Sequence, residues 1–496
     1  MAESMSRGSG AQGTGAVGGT GLKQGAIGTL PLVFMVIAAA APLGAVAGNT
    51  PLVIGLGNGI AAPFDFLLVG VLLLVFSVGY TAMSRHITNA GAFYAYISAG
   101  CGKRFGAAAG YVAVVSYSIL TLYCSTASGY FTSMTLANTL GVSVPWWVCS
   151  IVLYALVFTL GYLGIDAGAK VLMVFLTCEI AVLAALDVAV LVHHGPAAFT
   201  LESFSAQRLL DGAPGLGFAF AFLCFIGFEA TAIFGEEAKD PKRTVKRATY
   251  VAVILISVIY ILSSWAGIAA MGADEIVAAA QGSGAGDIWY NLSTGELGPV
   301  FGVVYDWLFI TSFFAAWFSS HNMATRYIYA FGRNHLLPAA LAKTSPRFKS
   351  PYAAGILLTA VGLVVVVCYA IFGLDPYLEG AAVFSAIAVS GIIFVELIAA
   401  ISFIPYFARH RGEEGFETNP WVTVIAPAIA SLGLLCVLAL VLANFSLLTG
   451  FDNVVMNNLP VLLLLVGVVG FVHASRMDRD GRLVDPMDID VNATEA

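Results

Sequence analysis

Two short stretches of this chain offer main-chain groups, rather than reactive side chains, for chemistry. The first is Ala38-Ala39-Ala40-Ala41-Pro42-Leu43-Gly44, inside a long apolar run. Proline in mid-helix removes a backbone donor and clashes with the preceding turn, yet it fits the first turn of a new helix. The spacing therefore predicts two half-helices meeting near Ala41, with the N–H groups of Leu43, Gly44 and Ala45 left unpaired. Such donors at the positive end of a helix bind an anion; a plain kink without a ligand is equally compatible with the residues. The second stretch is Leu223-Cys224-Phe225-Ile226-Gly227-Phe228-Glu229-Ala230. Gly227 permits unwinding there. Glu229 lies deep among apolar residues, where a carboxylate faces a cavity or a partner, including the loosened backbone of a neighbouring broken helix. Lone carboxylates also stand in Glu179-Ile180-Ala181 and Glu396-Leu397-Ile398.

Bond-making chemistry finds no comparable support. HExxH, GxxxxGK[ST] and zinc-finger spacings are absent. The seven cysteines (101, 124, 149, 178, 224, 368 and 436) are odd in number and lack a CxxC, so they read as small buried hydrophobes rather than metal ligands or a disulfide set. Neither a metal nor a cofactor is expected, and no nucleic-acid partner.

The elements that must position these residues are long and apolar. The composition is 59% hydrophobic and 10% charged, too little polar surface to clothe a soluble fold of this size. A bilayer supplies the missing apolar solvent: a spanning helix needs roughly 20 apolar residues, with its backbone bonded internally. Twelve runs qualify, at about 28–54, 63–83, 105–133, 146–164, 169–192, 213–237, 247–272, 297–330, 352–373, 378–405, 421–444 and 457–475. The loops between them sort by charge. Of the 22 Lys and Arg, all but Arg208 fall on one side of the implied membrane. Glu202, Asp211, Asp274, Glu275, Asp287, Glu296, Asp375, Glu379 and Asp452 lie on the other. Basic residues mark the cytoplasmic side, so both termini are expected in the cytoplasm of a multi-pass cell-membrane protein. The net charge of −7 then says little about a partner beyond the lipid bilayer.

Residues 1–24 are Gly-rich and 476–496 polar; both read as disordered cytoplasmic tails. No signal peptide is expected, because the first apolar run starts late. The outer loop at about 273–296 is too short to fold alone. Interruptions in the first and sixth runs, five apart, are the mark of an inverted-repeat transporter whose site lies between two broken helices. This divides the chain into a core at 25–405 and a last helix pair at 406–475.

Four places resemble the amino acid–polyamine–organocation superfamily, in its bacterial amino-acid permease branch. Gly227-Phe228-Glu229 followed by Glu236-Glu237-Ala238-Lys239-Asp240-Pro241-Lys242-Arg243 is similar to that family's sixth helix and inner loop. Asn89-Ala90-Gly91-Ala92-Phe93-Tyr94-Ala95-Tyr96 is similar to its entry to helix three, and Ser320-His321-Asn322-Met323-Ala324-Thr325-Arg326-Tyr327, with Arg333, Leu337 and Pro338, to the end of helix eight. The broken first helix is the fourth. The resemblance covers about residues 25–445. It implies an all-α fold of twelve transmembrane helices, a LeuT-type five-plus-five inverted repeat followed by two more. It also implies alternating access for an amino acid or amine, driven by an ion gradient. By position, Ala40, Ala41, Pro42, Leu43 and Gly44 would surround the substrate carboxylate. Phe225, Ile226, Gly227 and Phe228, next to Cys224, would offer carbonyls to its ammonium, and Phe222 and Phe225 would form an aromatic lid.

The chain departs from the family pattern at three points. Its first break reads Ala-Pro-Leu-Gly rather than Gly-rich, and Pro42 has no N–H. Leu223 stands where many relatives have an aromatic gate. Thr244-Val245-Lys246-Arg247 replaces a segment in which proline is common; Asp240 and Pro241 there suit a helix cap and first turn. For the coupling ion, Thr311, Ser312, Ser319 and Ser320 are the hydroxyls available to a sodium site. Glu179 falls near the place where some proton-driven members have a lysine. A carboxyl group removed from water favours its neutral form, so the expectation is proton-coupled symport with Glu179 or Glu229 as carrier, and sodium as the less favoured ion.

Alternatives are a polyamine or alkanolamine permease, for which Glu229 is the candidate second carboxylate, and an amino-acid exchanger. A channel would need a continuous polar stripe, and a membrane enzyme a convergent nucleophile–base set. The remaining polar residues read as ordinary: His321 as a packing residue, Arg326 and Arg333 as exposed pairs with Glu236 or Glu237 at the inner boundary, Asp187 and Asp306 as solvated outer groups, and Tyr117 and Tyr123 as candidate lining.

Overall fold

The computed structural model describes residues 21–282 and 284–487. Regular structure there is helical, apart from one isolated bridge between Ile27 and Ala238. Ten helical runs among the described residues are long and apolar enough to cross a membrane. Their outward faces carry exposed aliphatics such as Val364, Ile371, Val468 and Val469. In water such a surface would be an association hazard; lipid makes it a solvent match. Cys178, Cys368 and Cys436 lie on exposed faces too, so only part of the cysteine set is buried as expected.

The first of these ten, Thr29–Met83, is 55 residues long and takes in the first and second of the twelve runs numbered from the sequence. A straight helix of that length would reach roughly 80 Å, well over twice the hydrocarbon core. It turns back instead at Gly57, which leaves helical geometry (φ −102°, ψ −114°), and at Gly59, with φ 56°. A second break lies within the first half. The helix Thr29–Ala40 stops at Ala41 (φ 47°, ψ 69°), and Pro42 starts the next helical segment. The sixth run is also split, into Pro214–Leu223 and Ala230–Ile233. Between them Gly227 has φ 115°, and a Cβ there would lie 2.7 Å from the Ala39 Cβ. Glycine is thus required twice over, by backbone conformation and by the contact of one break with the other.

Around this crossing stand the third run, Lys103–Leu140, the eighth, Pro299–Arg333, and the tenth, Ala382–Arg409. The seventh, Pro241–Met271, backs the first half-helix. It begins as its sequence suggests: Asp240 accepts the Arg243 N–H at 3.3 Å and Pro241 occupies the first turn.

The acidic end is covered by the segment between the seventh and eighth runs. It folds into helices Ala273–Gln281 and Ile288–Leu297, with Ile276 and Trp289 buried beneath them. At the basic end the last helix continues to Arg479, past the point where a disordered tail was expected. Residues 480–487 then turn back over the bundle. Arg104 pairs with Asp478 at 2.6 Å and Lys103 with Asp485 at 3.3 Å. Asn89 donates to the Pro486 carbonyl at 3.2 Å. Leu483 is buried against Tyr94, Phe331 and Leu336. Residues 1–20 and 488–496 lie outside the described residues.

Leu483→Ala should therefore lower stability by about 2–3 kcal/mol, read as a drop in melting temperature of the detergent-purified protein. Arg482→Ala, at a neighbouring exposed side chain, should change it by no more than about 0.5 kcal/mol.

Candidate functional site

A cavity of about 90 Å³ lies between the two breaks. That is space for several waters or one small solute. The first run contributes Ala40, Ala41 and Gly44 to its wall, and the sixth contributes Leu223, Cys224 and Ile226. Leu120 and Tyr123 close it from the third run, Phe313 from the eighth and Val389 from the tenth. Asn49 and Ser385 add polar atoms; no charged side chain is among the residues that line it.

Several expected residues do not reach this wall. Pro42, Leu43, Phe222, Gly227 and Phe228 are not part of it. Phe225 packs edge-on against Tyr260 with ring centroids 5.4 Å apart, and Phe228 packs on Phe76 at 5.7 Å. The expected aromatic lid of Phe222 and Phe225 is absent here, because unwinding of residues 224–229 turns the Phe225 ring to the rear of the break. Leu223 occupies the front instead.

The expected unpaired donors of the first break have partners. The Ala45 N–H returns to the Ala41 carbonyl at 2.8 Å. The Gly44 N–H donates to Ser312 Oγ at 3.1 Å, and Ser312 Oγ in turn donates to Glu179 Oε2 at 2.7 Å. The Leu43 amide lies against the same carboxyl group. Glu179 Oε1 has no hydrogen-bond partner among the described residues. The anion-binding end of the half-helix is thus met by an internal carboxyl group, brought from the fifth run by a hydroxyl of the eighth.

The second break is stabilised from within. Glu229 Oε2 accepts the Gly227 N–H at 2.8 Å, and Oε1 accepts the Tyr117 hydroxyl at 2.8 Å. The Glu229 carbonyl accepts the Tyr80 hydroxyl at 2.5 Å. Of the four carbonyls expected to face an ammonium, Phe225 accepts the Phe228 N–H at 3.3 Å, Gly227 accepts the Ala230 N–H at 3.1 Å and Phe228 accepts the Thr231 hydroxyl at 3.3 Å. Ile226, which also lines the cavity, accepts none of these bonds.

Tyr260 ties the breaks together. Its hydroxyl lies 3.0 Å from the Ala40 carbonyl and 2.9 Å from the Cys224 carbonyl. One O–H therefore serves the loose end of each broken helix. Neither Tyr260 nor Tyr80 was legible beforehand: each is a single tyrosine in an apolar run, with no local pattern to single it out.

The hydroxyls considered for an ion divide. Ser312 reaches Glu179, and Ser319 reaches toward the Met35 carbonyl at 3.5 Å. Thr311 and Ser320 bond carbonyls of their own helix, at Leu308 and Trp317. His321 is buried away from the cavity, with Nε2 3.3 Å from the Thr359 hydroxyl. Asp187 is not simply solvated; it accepts the Ser263 hydroxyl at 3.0 Å.

At the basic end Arg326 and Arg333 do pair with Glu237 and Glu236, but in the interior rather than at an exposed boundary. Arg326 binds Glu237 through two bonds, of 2.6 and 3.1 Å, with both side chains no more than 3% exposed. A third arm of its guanidinium contacts the Asn322 side chain and carbonyl, and its plane covers Phe234. Arg333 binds Glu236 at 2.6 and 3.1 Å, and Glu236 also accepts the Ala90 N–H at 2.7 Å. These pairs bolt the end of the eighth run to the end of the sixth and close the basic end of the bundle.

A polytopic helical protein with a small apolar cavity between two broken helices is defined by these features. The chain belongs to the amino acid permease family, whose model matches residues 27–471. It is similar to the branched-chain amino acid permease BcaP of Lactococcus lactis subsp. cremoris, 24% identical over 302 residues, which is 57% of this chain and 63% of that protein. It is likewise similar to the BcaP of Bacillus subtilis, 24% identical over 343 residues, 63% of this chain and 69% of that one. An aspartate-proton symporter of Bacillus subtilis is 19% identical over 207 residues, 41% of this chain and 40% of that protein. These matches thus span about two thirds of the BcaP proteins and less of the symporter. The family is one of amino acid permeases, and the relatives named here are transporters rather than enzymes.

Removing one member of the buried Arg326–Glu237 pair should be far worse than removing both. Arg326→Ala removes the two-bond partner of a carboxylate in the interior and should cost about 3–5 kcal/mol. Arg326→Met combined with Glu237→Leu should recover most of that loss in melting temperature. Equal effects of the single and double variants would contradict this picture of the pair.

Proposed function

We propose that the protein is a secondary active transporter of small apolar amino acids, working by alternating access and coupled to protons. The fold-back of the first run supplies two crossings and the split sixth run one, which gives twelve with the other nine. The two breaks then lie in helices one and six of a five-plus-five repeat. The excess of Lys and Arg at one end supports a cytoplasmic location for that end and for both termini, in the cell membrane.

The observation that carries the proposal is the Glu179–Ser312–Gly44 chain behind the cavity wall at Gly44. A helix N-terminus favours one negative group, and here Glu179 stands at it. A substrate carboxylate and a charged Glu179 would repel each other across this end. A proton on Glu179 removes that repulsion and weakens its hold on Ser312, freeing Gly44 and Leu43 N–H for the substrate. Proton and amino acid then bind together, which is the requirement for symport. The ammonium goes to the Ile226 carbonyl. Glu229 is less suited as carrier, since both its oxygens already accept bonds. Sodium coupling would use the Ser312 and Ser319 oxygens and is the weaker alternative.

The lining favours a branched aliphatic side chain. Leu120, Leu223, Ile226 and Val389 face the space, and no charged group does. This agrees with the substrate in the BcaP names. It argues against a polyamine, whose second ammonium needs a carboxylate, and against aspartate, whose second carboxylate needs a cation.

Purified protein in liposomes should accumulate leucine or valine when a pH gradient is imposed, and aspartate or putrescine should compete poorly. Accumulation driven by sodium but not by a pH gradient would reject proton coupling. Glu179→Gln should abolish proton-driven accumulation while exchange of labelled for unlabelled substrate persists. Full accumulation by that variant would clear Glu179.

A further inference from the structure

We propose that Glu396, on the tenth run, is a second proton-binding site, which shares one proton with Glu229. Glu396 is buried, and neither of its carboxyl oxygens has a hydrogen-bond partner among the described residues. Glu229 is equally buried but has a donor on each oxygen, from Tyr117 and from Gly227. The two groups therefore differ in kind. Glu229 is built to hold charge, and Glu396 is not.

Two stacked tyrosines stand beside the pair, one of them donating to Glu229. Tyr117 of the third run and Tyr327 of the eighth stack with centroids 5.1 Å apart and planes at 15°. Both lie in the field of both carboxyl groups. The Tyr327 hydroxyl lies against the Phe93 backbone. From the helix Phe93–Cys101, Tyr96 faces Tyr327. Glu229 is the charged group that bears on Glu396, and no Lys, Arg or His pairs with it among the described residues. The second, eleventh and twelfth runs supply no ion-pair partner either.

A carboxylate without donors in an apolar interior is strongly disfavoured, and two neighbouring carboxylates do not ionise together. The pair therefore holds one proton and one negative charge. The proton rests on Glu396 as O–H while Gly227 N–H and Tyr117 O–H satisfy Glu229. Any movement of the sixth-run break that withdraws the Gly227 N–H makes Glu229 the better proton acceptor. The O–H bond on Glu396 then breaks, one forms on Glu229, and the negative charge passes the other way. This step rests on the alternating-access reading above, since it needs the break to move, but the proton on Glu396 does not.

The test uses the full chain in detergent and in liposomes. Infrared difference spectra at neutral pH should show a protonated-carboxyl band that E396Q removes and that Y117F shifts. Thermal stability of the wild type should fall as pH rises above the carboxyl range of the unfolded chain, because the folded state keeps a proton that the unfolded chain has lost, and E396Q, which cannot ionise, should flatten that fall. An E396Q spectrum that keeps every protonated-carboxyl band of the wild type overturns the proposal, a band from Glu179 being expected in both. So does an E396Q protein whose melting temperature follows the wild-type pH profile, or which is destabilised at every pH as a lost charged group would be. Coupling is scored separately. If the wild type moves no protons with substrate while E396Q still removes the band, the proton site stands and the symport reading falls. If the wild type couples and E396Q leaves the band in place, the reverse holds.

Discussion

Peptide groups released at a helix break inside a membrane must find partners within the protein. Lipid offers none, and each orphan is costly. The arrangement of this chain around its cavity follows from that constraint. The break at Ala41 frees donors at its far side and acceptors at its near side. Ser312 and Glu179 meet the donors, and Tyr260 meets the Ala40 acceptor. The break around Gly227 is met by Glu229, Tyr80 and again Tyr260. Residues from the second, fifth, seventh and eighth runs are thereby committed to two short stretches of backbone. A site that binds by main chain must be held by such side chains, because the main chain alone cannot stay open in lipid.

The same physics, applied to charge, governs the basic end. Arg326 and Glu237 are withdrawn from water almost completely, so their attraction is offset by the loss of hydration. Such a pair contributes little net stability against an apolar substitute, yet it is very unfavourable to break without water. A buried pair of this kind therefore resists partial separation. Glu236 adds a bond to Ala90 at the entry to the third run. Residues 480–487 pack over the same corner, so closure of this end joins the sixth, eighth and third runs to the end of the chain.

Much of this was legible in the residues. Proline and glycine within long apolar runs marked both breaks, and charge sorting marked the two ends. The sequence points to Ala40, Ala41, Gly44, Cys224 and Ile226, and these five line the cavity. It points to Phe225 too, but that residue faces away, because the direction of a side chain in an unwound segment follows from its local dihedrals and not from helical periodicity. The burial of Arg326 was missed for a related reason. A charged residue near the end of a run looks solvated until the neighbouring helices are placed around it. Tyr260 was invisible because its role depends on two carbonyls 36 and 220 residues away.

The three buried glutamates are graded by what they are given. Glu229 has a donor for each oxygen, Glu179 has a hydroxyl on one oxygen and an amide lying against its carboxyl group, and Glu396 has none. In an interior of uniform polarity that grading orders their readiness to hold charge. The best-supplied group stabilises a break, the least-supplied favours its neutral form, and the intermediate one lies beside the cavity. An intermediate supply lets a group gain or lose a proton without a large change in its donors. On the proposed reading, the position of Glu179 at the half-helix end also lets its charge and the substrate's compete for the same donors.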